Sequence, residues 1–243
     1  FGKELTDSGN MISELTRGSV KGISQSTLSS DNITSSIKGE GKTLLAMELA
    51  RAYSSLHQKV LLVGGDLRNP RLHEFFGGDK NTMGFSNYLA DPGLHLKVGL
   101  QKSDKAFPYL SVCFSGPIPP NAPQLLSGER YAQFLNEARD QFDVVILDTA
   151  PTVLVTDSLI MDDPVDLVLY VVRSGYTEKQ LTNHIQNLHK SGKMQGIALL
   201  LNDVKDSRSK GYNYGYGYGY SEEKKQVPWY QRIFKRSLSR KNY

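Results

Sequence analysis

The sequence predicts a doubly wound α/β sandwich built on a mostly parallel sheet. Three observations predict it. Short continuous apolar runs recur along the chain, at Val60–Val63, Tyr109–Phe114, Val144–Leu147, Leu167–Val172 and Ile197–Leu201. Runs without polar alternation indicate strands covered on both faces. Stretches of helical spacing lie between them, the pattern of βα units. Finally, Ser36-Ile37-Lys38-Gly39-Glu40-Gly41-Lys42-Thr43 stands directly before a helical stretch and reads as a phosphate-binding P-loop.

Taken in order, residues 1–35 are the least regular. Glu14-Leu15-Thr16-Arg17 fits a short helix, and 24–35 is a polar Ser/Thr/Asn run. A strand has to lead into the P-loop, so one is placed at 27–35, although only Leu28 and Ile33 are large apolar residues there. The P-loop is followed by Leu44 to Tyr53, rich in good helix formers and free of Gly and Pro, so a helix is expected from Thr43. Val60–Val63 ends at Gly64-Gly65-Asp66-Leu67-Arg68, and Tyr109–Phe114 leads into Gly116-Pro117-Ile118-Pro119-Pro120-Asn121. Residues 123–141 have helical spacing, with Leu125, Leu126, Phe134, Leu135 and Ala138 on the expected buried side. Val144–Leu147 ends at Asp148, and a helix at about 177–191 separates the last two apolar runs. In such a sandwich the ligand sits at the carboxyl ends of the strands. Beyond Asn202 the chain turns polar and then reads Tyr212-Asn213-Tyr214-Gly215-Tyr216-Gly217-Tyr218-Gly219-Tyr220. Gly at every second place denies this stretch a helix, so a mobile, solvated tail is expected.

A chain of 243 residues accommodates one α/β domain with a full core. The single cysteine, Cys113, excludes an internal disulfide and lies in an apolar run, where a small buried residue is expected. No apolar run approaches the roughly 20 residues that span a bilayer. The first residue is Phe1 instead of Met, which reads as the soluble part of something longer or a processed product. The net charge of +4 is unevenly spread: residues 224–243 carry seven basic and no acidic side chains, so the other 223 residues sum to −3. A mildly acidic body argues against nucleic-acid binding. Trp229, Ile233 and Phe234 among the basic residues fit one amphipathic turn suited to an anionic membrane face, with a solvated charge run as the competing reading. The five histidines (His57, His73, His95, His184, His189) have no metal-ligand spacing and read as surface or packing residues.

The chemistry concentrates where three strand ends meet the P-loop. The usual pattern is G-x-x-x-x-G-K-[ST], with only its first glycine replaced, by Ser36. Gly39 and Gly41 let backbone N–H groups curl around a phosphate without Cβ collisions. Lys42 reaches β- and γ-phosphates, the Thr43 hydroxyl takes a place on Mg²⁺, and the helix aims its positive end at the anion. Lys42 is expected to be solvated when no nucleotide is bound. Asp148 closes its strand where a carboxylate binds Mg²⁺, against the alternative of a simple helix cap. Asp66 and Arg68 at the neighbouring strand end serve metal, nucleophile and triphosphate, or else form a structural salt bridge.

Asp66 with Arg68, the run Phe142-Asp143-Val144-Val145-Ile146-Leu147-Asp148-Thr149-Ala150-Pro151 and the tyrosine cluster together resemble the bacterial tyrosine autokinases (BY-kinases). These are the cytoplasmic kinases of exopolysaccharide and capsule export. The match covers roughly residues 33–220 and includes Gly116 to Pro123 and Asp148 through Asp157. The resemblance implies a fold like that of the partition and division-site ATPases, with ATP and Mg²⁺ as cofactors. It implies catalytic roles for Lys42, Asp66 and Asp148, metal contacts for Thr43, Asp66 and Asp148, and ATP contacts for Gly39, Glu40, Gly41, Lys42, Thr43, Leu44, Arg68 and Asn202. Asn202 matches the nucleobase contact of that superfamily. Tyr212, Tyr214, Tyr216, Tyr218 and Tyr220 would be the acceptors of phosphate in trans. The implied partners are further copies in a ring, contacting through Glu14 and Arg17, a membrane co-polymerase segment fused or separate, and a tyrosine phosphatase. The implied location is the cytoplasmic face of the bacterial inner membrane.

Three departures from the family pattern stand out. Gly64 replaces the first acid of the motif that Asp66 completes, so Gly64→Asp is expected to raise activity. Val20, with Lys21 beside it, replaces the second arginine of the oligomerisation helix. The signature lysine of the partition ATPases, five places before Lys42, is here Ile37. The organisation read from the sequence is an N-terminal oligomerisation segment (1–26), a kinase domain (27–203), a tyrosine tail (204–223) and a basic tail (224–243). The competing class is a membrane-associated ATPase switch of the partition type, which has no need of an exposed tyrosine run.

Overall fold

The computed structural model describes residues 29–102, 106–153, 157–161, 165–194 and 196–204. Glu14, Arg17, the five tail tyrosines and the basic tail lie outside the described residues. Among the described residues seven strands form one sheet: β1 (Ser29–Ser35), β2 (Val60–Gly64), β3 (Leu100–Lys102), β4 (Leu110–Cys113), β5 (Val144–Asp148), β6 (Leu167–Arg173) and β7 (Ile197–Asn202). Their order is β3-β4-β2-β5-β1-β6-β7, all parallel except the edge pair β3 and β4. The expected doubly wound sandwich is therefore the observed one.

Both faces of the central strands are covered, and the strand period of two sorts their side chains. Leu61, Val63, Val145 and Leu147 pack against Phe85, Tyr88, Phe134, Leu135 and Ala138 from α3 (Phe85–Ala90) and α5 (Glu129–Arg139). Val60, Leu62, Val144 and Ile146 face Leu45, Ala46, Leu49 and Ala50 of α1 (Lys42–Ser55) on the other side. A third cluster joins Val168 and Tyr170 of β6 to Ile185 and Leu188 of α7 (Gln180–Lys190). Cys113 is buried.

The polar strand β1 occupies the centre, between β5 and β6. Ile33 packs into the apolar core, while three of the strand's polar side chains are stitched to their surroundings. Thr149 Oγ1 donates to Asn32 Oδ1 at 2.7 Å, Thr34 Oγ1 to the Ala150 carbonyl at 2.9 Å, and Arg139 Nε to Ser30 Oγ at 2.9 Å. Buried polar groups that are bonded in this way cost little.

The single helix expected over 123–141 is two, α4 (Ala122–Leu126) and α5. The chain breaks at Ser127-Gly128, where Gly128 is extended (φ −82°, ψ 160°) and caps α5. Three short helices, α2 (Leu72–Phe75), α3 and α6 (Asp157–Met161), and the edge strand β3 have no counterpart in the sequence reading. Each is too short to establish a period. Among the described residues no helix is long and apolar enough to cross a membrane.

Candidate active site

The carboxyl ends of β1, β2, β5, β6 and β7 all open on the loop Ser36–Gly41. Gly39 (φ 90°) and Gly41 (φ 99°) hold left-handed conformations that glycine alone adopts without strain. The first turn of α1 has no side-chain cap and no acid, so its leading N–H groups remain available to an anion. Ser36, which stands where the pattern has glycine, is fully buried. Its hydroxyl meets Tyr170 Oη at 3.1 Å, and that atom meets Thr152 Oγ1 at 2.6 Å.

A cleft of about 300 Å³ runs along the loop. Of the residues read as functional from the sequence, Gly39, Gly41, Lys42, Thr43, Leu44, Asp66 and Arg68 line it. Arg71 and Phe75, which follow Asp66 in the chain, also line it and were not read as functional. Asp148 lies behind the cleft at 3 % exposure, with the Thr43 hydroxyl hydrogen-bonded to its carboxyl. The backbones of the two acids are tied together: the Gly65 and Asp66 amides both donate to the Asp148 carbonyl, at 2.8 and 3.0 Å. Asp66 Oδ1 accepts from the Arg68 and Asn69 amides at 3.1 and 2.9 Å, which fixes the carboxylate on a tight turn at the cleft edge.

Burial pushes the Asp148 carboxyl up from 3.8 to about 7; the Thr43 hydrogen bond and the Lys42 ammonium pull it down, and Asp66 pushes it up. Burial also pushes the Lys42 ammonium below its usual range, against the pull of Asp148, Asp66 and Glu40. The expectation of a solvated Lys42 is thus corrected. The residue is 8 % exposed, because the loop wraps it beside these carboxylates.

Glu40 is wholly buried, and its carboxylate points away from the cleft: Oε2 accepts from the Ile37 amide at 2.7 Å and Oε1 from the Thr177 hydroxyl. Only its backbone is left to serve a ligand. Asn202 likewise spends its amide group on the loop, donating from Nδ2 to the Glu40 carbonyl at 2.9 Å. Gly64 is held close to β4: a Cβ there would stand 2.5 Å from Ser115 Oγ and 2.9 Å from the Ser115 backbone nitrogen. The expectation that an acid is simply restored at that place meets a backbone obstacle.

The residues present fit a nucleotide with its magnesium ion. Asp148 Oδ1 is buried with no hydrogen-bond partner among the described residues, beside the Thr43 hydroxyl. Such an orphaned oxygen calls for a cation or its bound water. Mg²⁺ takes one or two protein ligands plus phosphate oxygens, so a larger carboxylate cluster is not required. Fold and site together define a nucleotide-binding P-loop protein of the α/β class.

Comparison with known proteins narrows the class. No protein-family model matches the chain. It is 34 % identical over 180 residues to the tyrosine-protein kinase YwqD of Bacillus subtilis (strain 168), covering 74 % of each chain. It is 31 % identical over 164 residues to the tyrosine-protein kinase CpsD of Streptococcus pneumoniae, covering 67 % of this chain and 71 % of that one. The kinase domain of the Escherichia coli tyrosine kinase ETK superposes with a TM-score of 0.70 at 33 % identity, over 83 % of this chain and 78 % of that one. Against the full tyrosine-protein kinase etk of E. coli (strain K12), 34 % identical, the chain spans only 22 % of the relative. The septum site-determining protein MinD of Pyrococcus horikoshii OT3, complexed with Mg-ADP, shares the fold alone, with a TM-score of 0.55 at 20 % identity over 71 % of this chain and 68 % of that one. The chain belongs to the bacterial tyrosine-protein kinases.

Proposed function

We propose that the protein uses ATP and Mg²⁺ to phosphorylate, in trans, the tyrosines Tyr212, Tyr214, Tyr216, Tyr218 and Tyr220 of a neighbouring copy. The observation that carries this reading is the gathering of Lys42, Thr43, Asp66 and the orphaned Asp148 Oδ1 around one cleft. ATP supplies the γ-phosphoryl group, and ADP departs as a phenol oxygen–phosphorus bond forms. The chain supplies position and charge. Loop amides and Lys42 hold the phosphates and offset their charge. Thr43 and Asp148 would hold Mg²⁺, which would offset phosphate charge there, and Asp66, at the cleft edge, would take the phenol proton. Arg68 faces the same cleft and is placed to steady the triphosphate.

The cellular role that follows is control of exopolysaccharide or capsule polymerisation and export at the inner face of the bacterial inner membrane. The partners are a membrane co-polymerase segment, fused or separate, further copies in a ring through Glu14 and Arg17, and a tyrosine phosphatase. The basic residues 224–243 provide attraction to an anionic membrane. The competing partition-type ATPase switch has only the shared fold in its favour. Incubation of the purified protein with labelled ATP and Mg²⁺, followed by mapping of modified residues, tests the reading. Label on tyrosines 212–220, absent from Lys42→Met, is expected. ATP hydrolysis without phosphotyrosine would point instead to the ATPase switch.

A further inference from the structure

The carbonyl oxygens of three consecutive loop residues are each taken by a side chain from the β6–β7 side of the sheet. Tyr176 Oη donates to the Lys38 carbonyl at 3.0 Å, Arg173 Nη1 to the Gly39 carbonyl at 2.8 Å, and Asn202 Nδ2 to the Glu40 carbonyl at 2.9 Å. Arg173 and Asn202 are register partners at the ends of adjacent parallel strands, so the sheet itself sets their spacing. We infer that Arg173, with Tyr176, is a positioning residue for phosphate binding, acting through the loop backbone; this rests on the loop being the nucleotide site.

The reason is the planarity of the peptide unit. In a trans peptide the C=O of one residue and the N–H of the next point in opposite directions. Holding the carbonyls of Lys38, Gly39 and Glu40 outward therefore turns the amides of Gly39, Glu40 and Gly41 the other way. Lys38, Gly39 and Gly41 themselves line the cleft. Without the clamp, each peptide plane is free to flip, and a flipped unit presents a carbonyl oxygen to a phosphate.

Two further features fit the same role. The glycines are shaped to the clamp: a Cβ on Gly39 would lie 2.8 Å from Tyr176 Oη, and one on Gly41 would collide with Asn202 Nδ2. Arginine is also required by geometry. Its Nε bonds Asp203 Oδ2 at 3.1 Å while Nη1 bonds Gly39, and the guanidinium carbon lies 5.1 Å from the centre of the Tyr176 ring. A lysine ammonium is a single point charge and cannot make two coplanar bonds and a stack together. Asp203 is the first residue after β7, so the point where the chain leaves the sheet is latched to the phosphate loop through one guanidinium.

The test is binding of Mg-ADP by calorimetry, with steady-state kinetics for ATP, on the whole chain. Arg173→Ala is expected to weaken Mg-ADP binding about tenfold, the scale of one charge-assisted hydrogen bond. KM for ATP should rise in step, with kcat within about threefold of wild type. Arg173→Lys should recover only part of the loss. Tyr176→Phe keeps the stacked ring and removes one hydrogen bond, so a loss of a few fold is expected, and this mild variant carries the test if Arg173→Ala does not fold. Wild-type affinity in Arg173→Ala or, failing that, in Tyr176→Phe overturns the positioning role while leaving the nucleotide site standing. A wild-type protein that binds no Mg-ADP overturns both.

Discussion

Gly64 lies directly opposite Asp148 in the parallel ladder that joins β2 to β5. The place where the family pattern has its first acid is thus on the same rung as the buried carboxylate proposed to hold the metal. An aspartate at 64 would put a second carboxyl there and press its Cβ to 2.9 Å from the Ser115 backbone nitrogen. Overpacking of this kind costs about 1–3 kcal/mol. Gly64→Asp is therefore expected to lower the melting temperature by several degrees, with no gain in phosphotyrosine. Thermal unfolding alongside an anti-phosphotyrosine assay checks it; an unchanged melting temperature with more phosphotyrosine would show that β4 moves aside.

Asp66→Asn separates chemistry from scaffolding. The amide keeps an oxygen for the Arg68 and Asn69 N–H groups, so the turn survives, while the proposed proton acceptor is lost. Autophosphorylation should fall by about a hundredfold or more, the usual weight of a general base, with the melting temperature nearly unchanged. A fully active Asp66→Asn protein places the base elsewhere.

Asp31, in the central strand, is expected to make stability depend on pH. Burial, and then the charge of Asp166, push its carboxyl from 3.8 up to about 7. The folded protein thus holds a proton that the unfolded chain releases. The contribution of Asp31 is most favourable below about pH 4 and is lost as pH rises through about 7. Asp31→Asn should match wild type near pH 4 and exceed it above pH 7, by on the order of a few kcal/mol. Urea unfolding of both proteins from pH 4 to 8 measures the difference, and a gap independent of pH refutes the argument.

Charge arithmetic on the tail predicts an assembly switch. Each phosphotyrosine adds about −1.5 to −2 at pH 7, so five add roughly −8 to −10, against the seven basic residues that follow. A tail so charged is repelled from a site holding Asp66, Asp148 and a spent nucleotide. The protein should associate when unmodified and separate after phosphorylation. Light scattering before and after ATP, with all five positions changed Tyr→Phe as control, reads this out. Equal mass for the phosphorylated and Tyr→Phe proteins at one concentration rules the switch out.

The sequence by itself determined the architecture and the heart of the site. Continuous apolar runs at 60–63, 144–147 and 167–172 made buried parallel strands legible, because burial on both faces leaves that pattern in one dimension. The P-loop, Asp66 just beyond β2 and Asp148 at the end of β5 were legible for a related reason: a site at strand ends puts chemistry-bearing residues close after apolar runs. Arg173 ends the run at 167–172 just as Asn202 ends the last one, but only Asn202 has a counterpart in the family resemblance.

Only the tertiary structure decided the rest. β1 has few apolar residues to announce it. It sits as a central strand with Asn32, Thr34 and Ser30 satisfied by Thr149, Ala150 and Arg139, more than a hundred residues away. That an added side chain at Gly64 would press on Ser115 of the neighbouring segment is likewise visible only in the fold. Lys42 looked solvated until the loop and two strand ends enclosed it. The clamp on the loop carbonyls joins residues 134 to 162 apart in the chain. No local period or propensity encodes such a contact, because the order β5-β1-β6-β7 alone brings its two halves together.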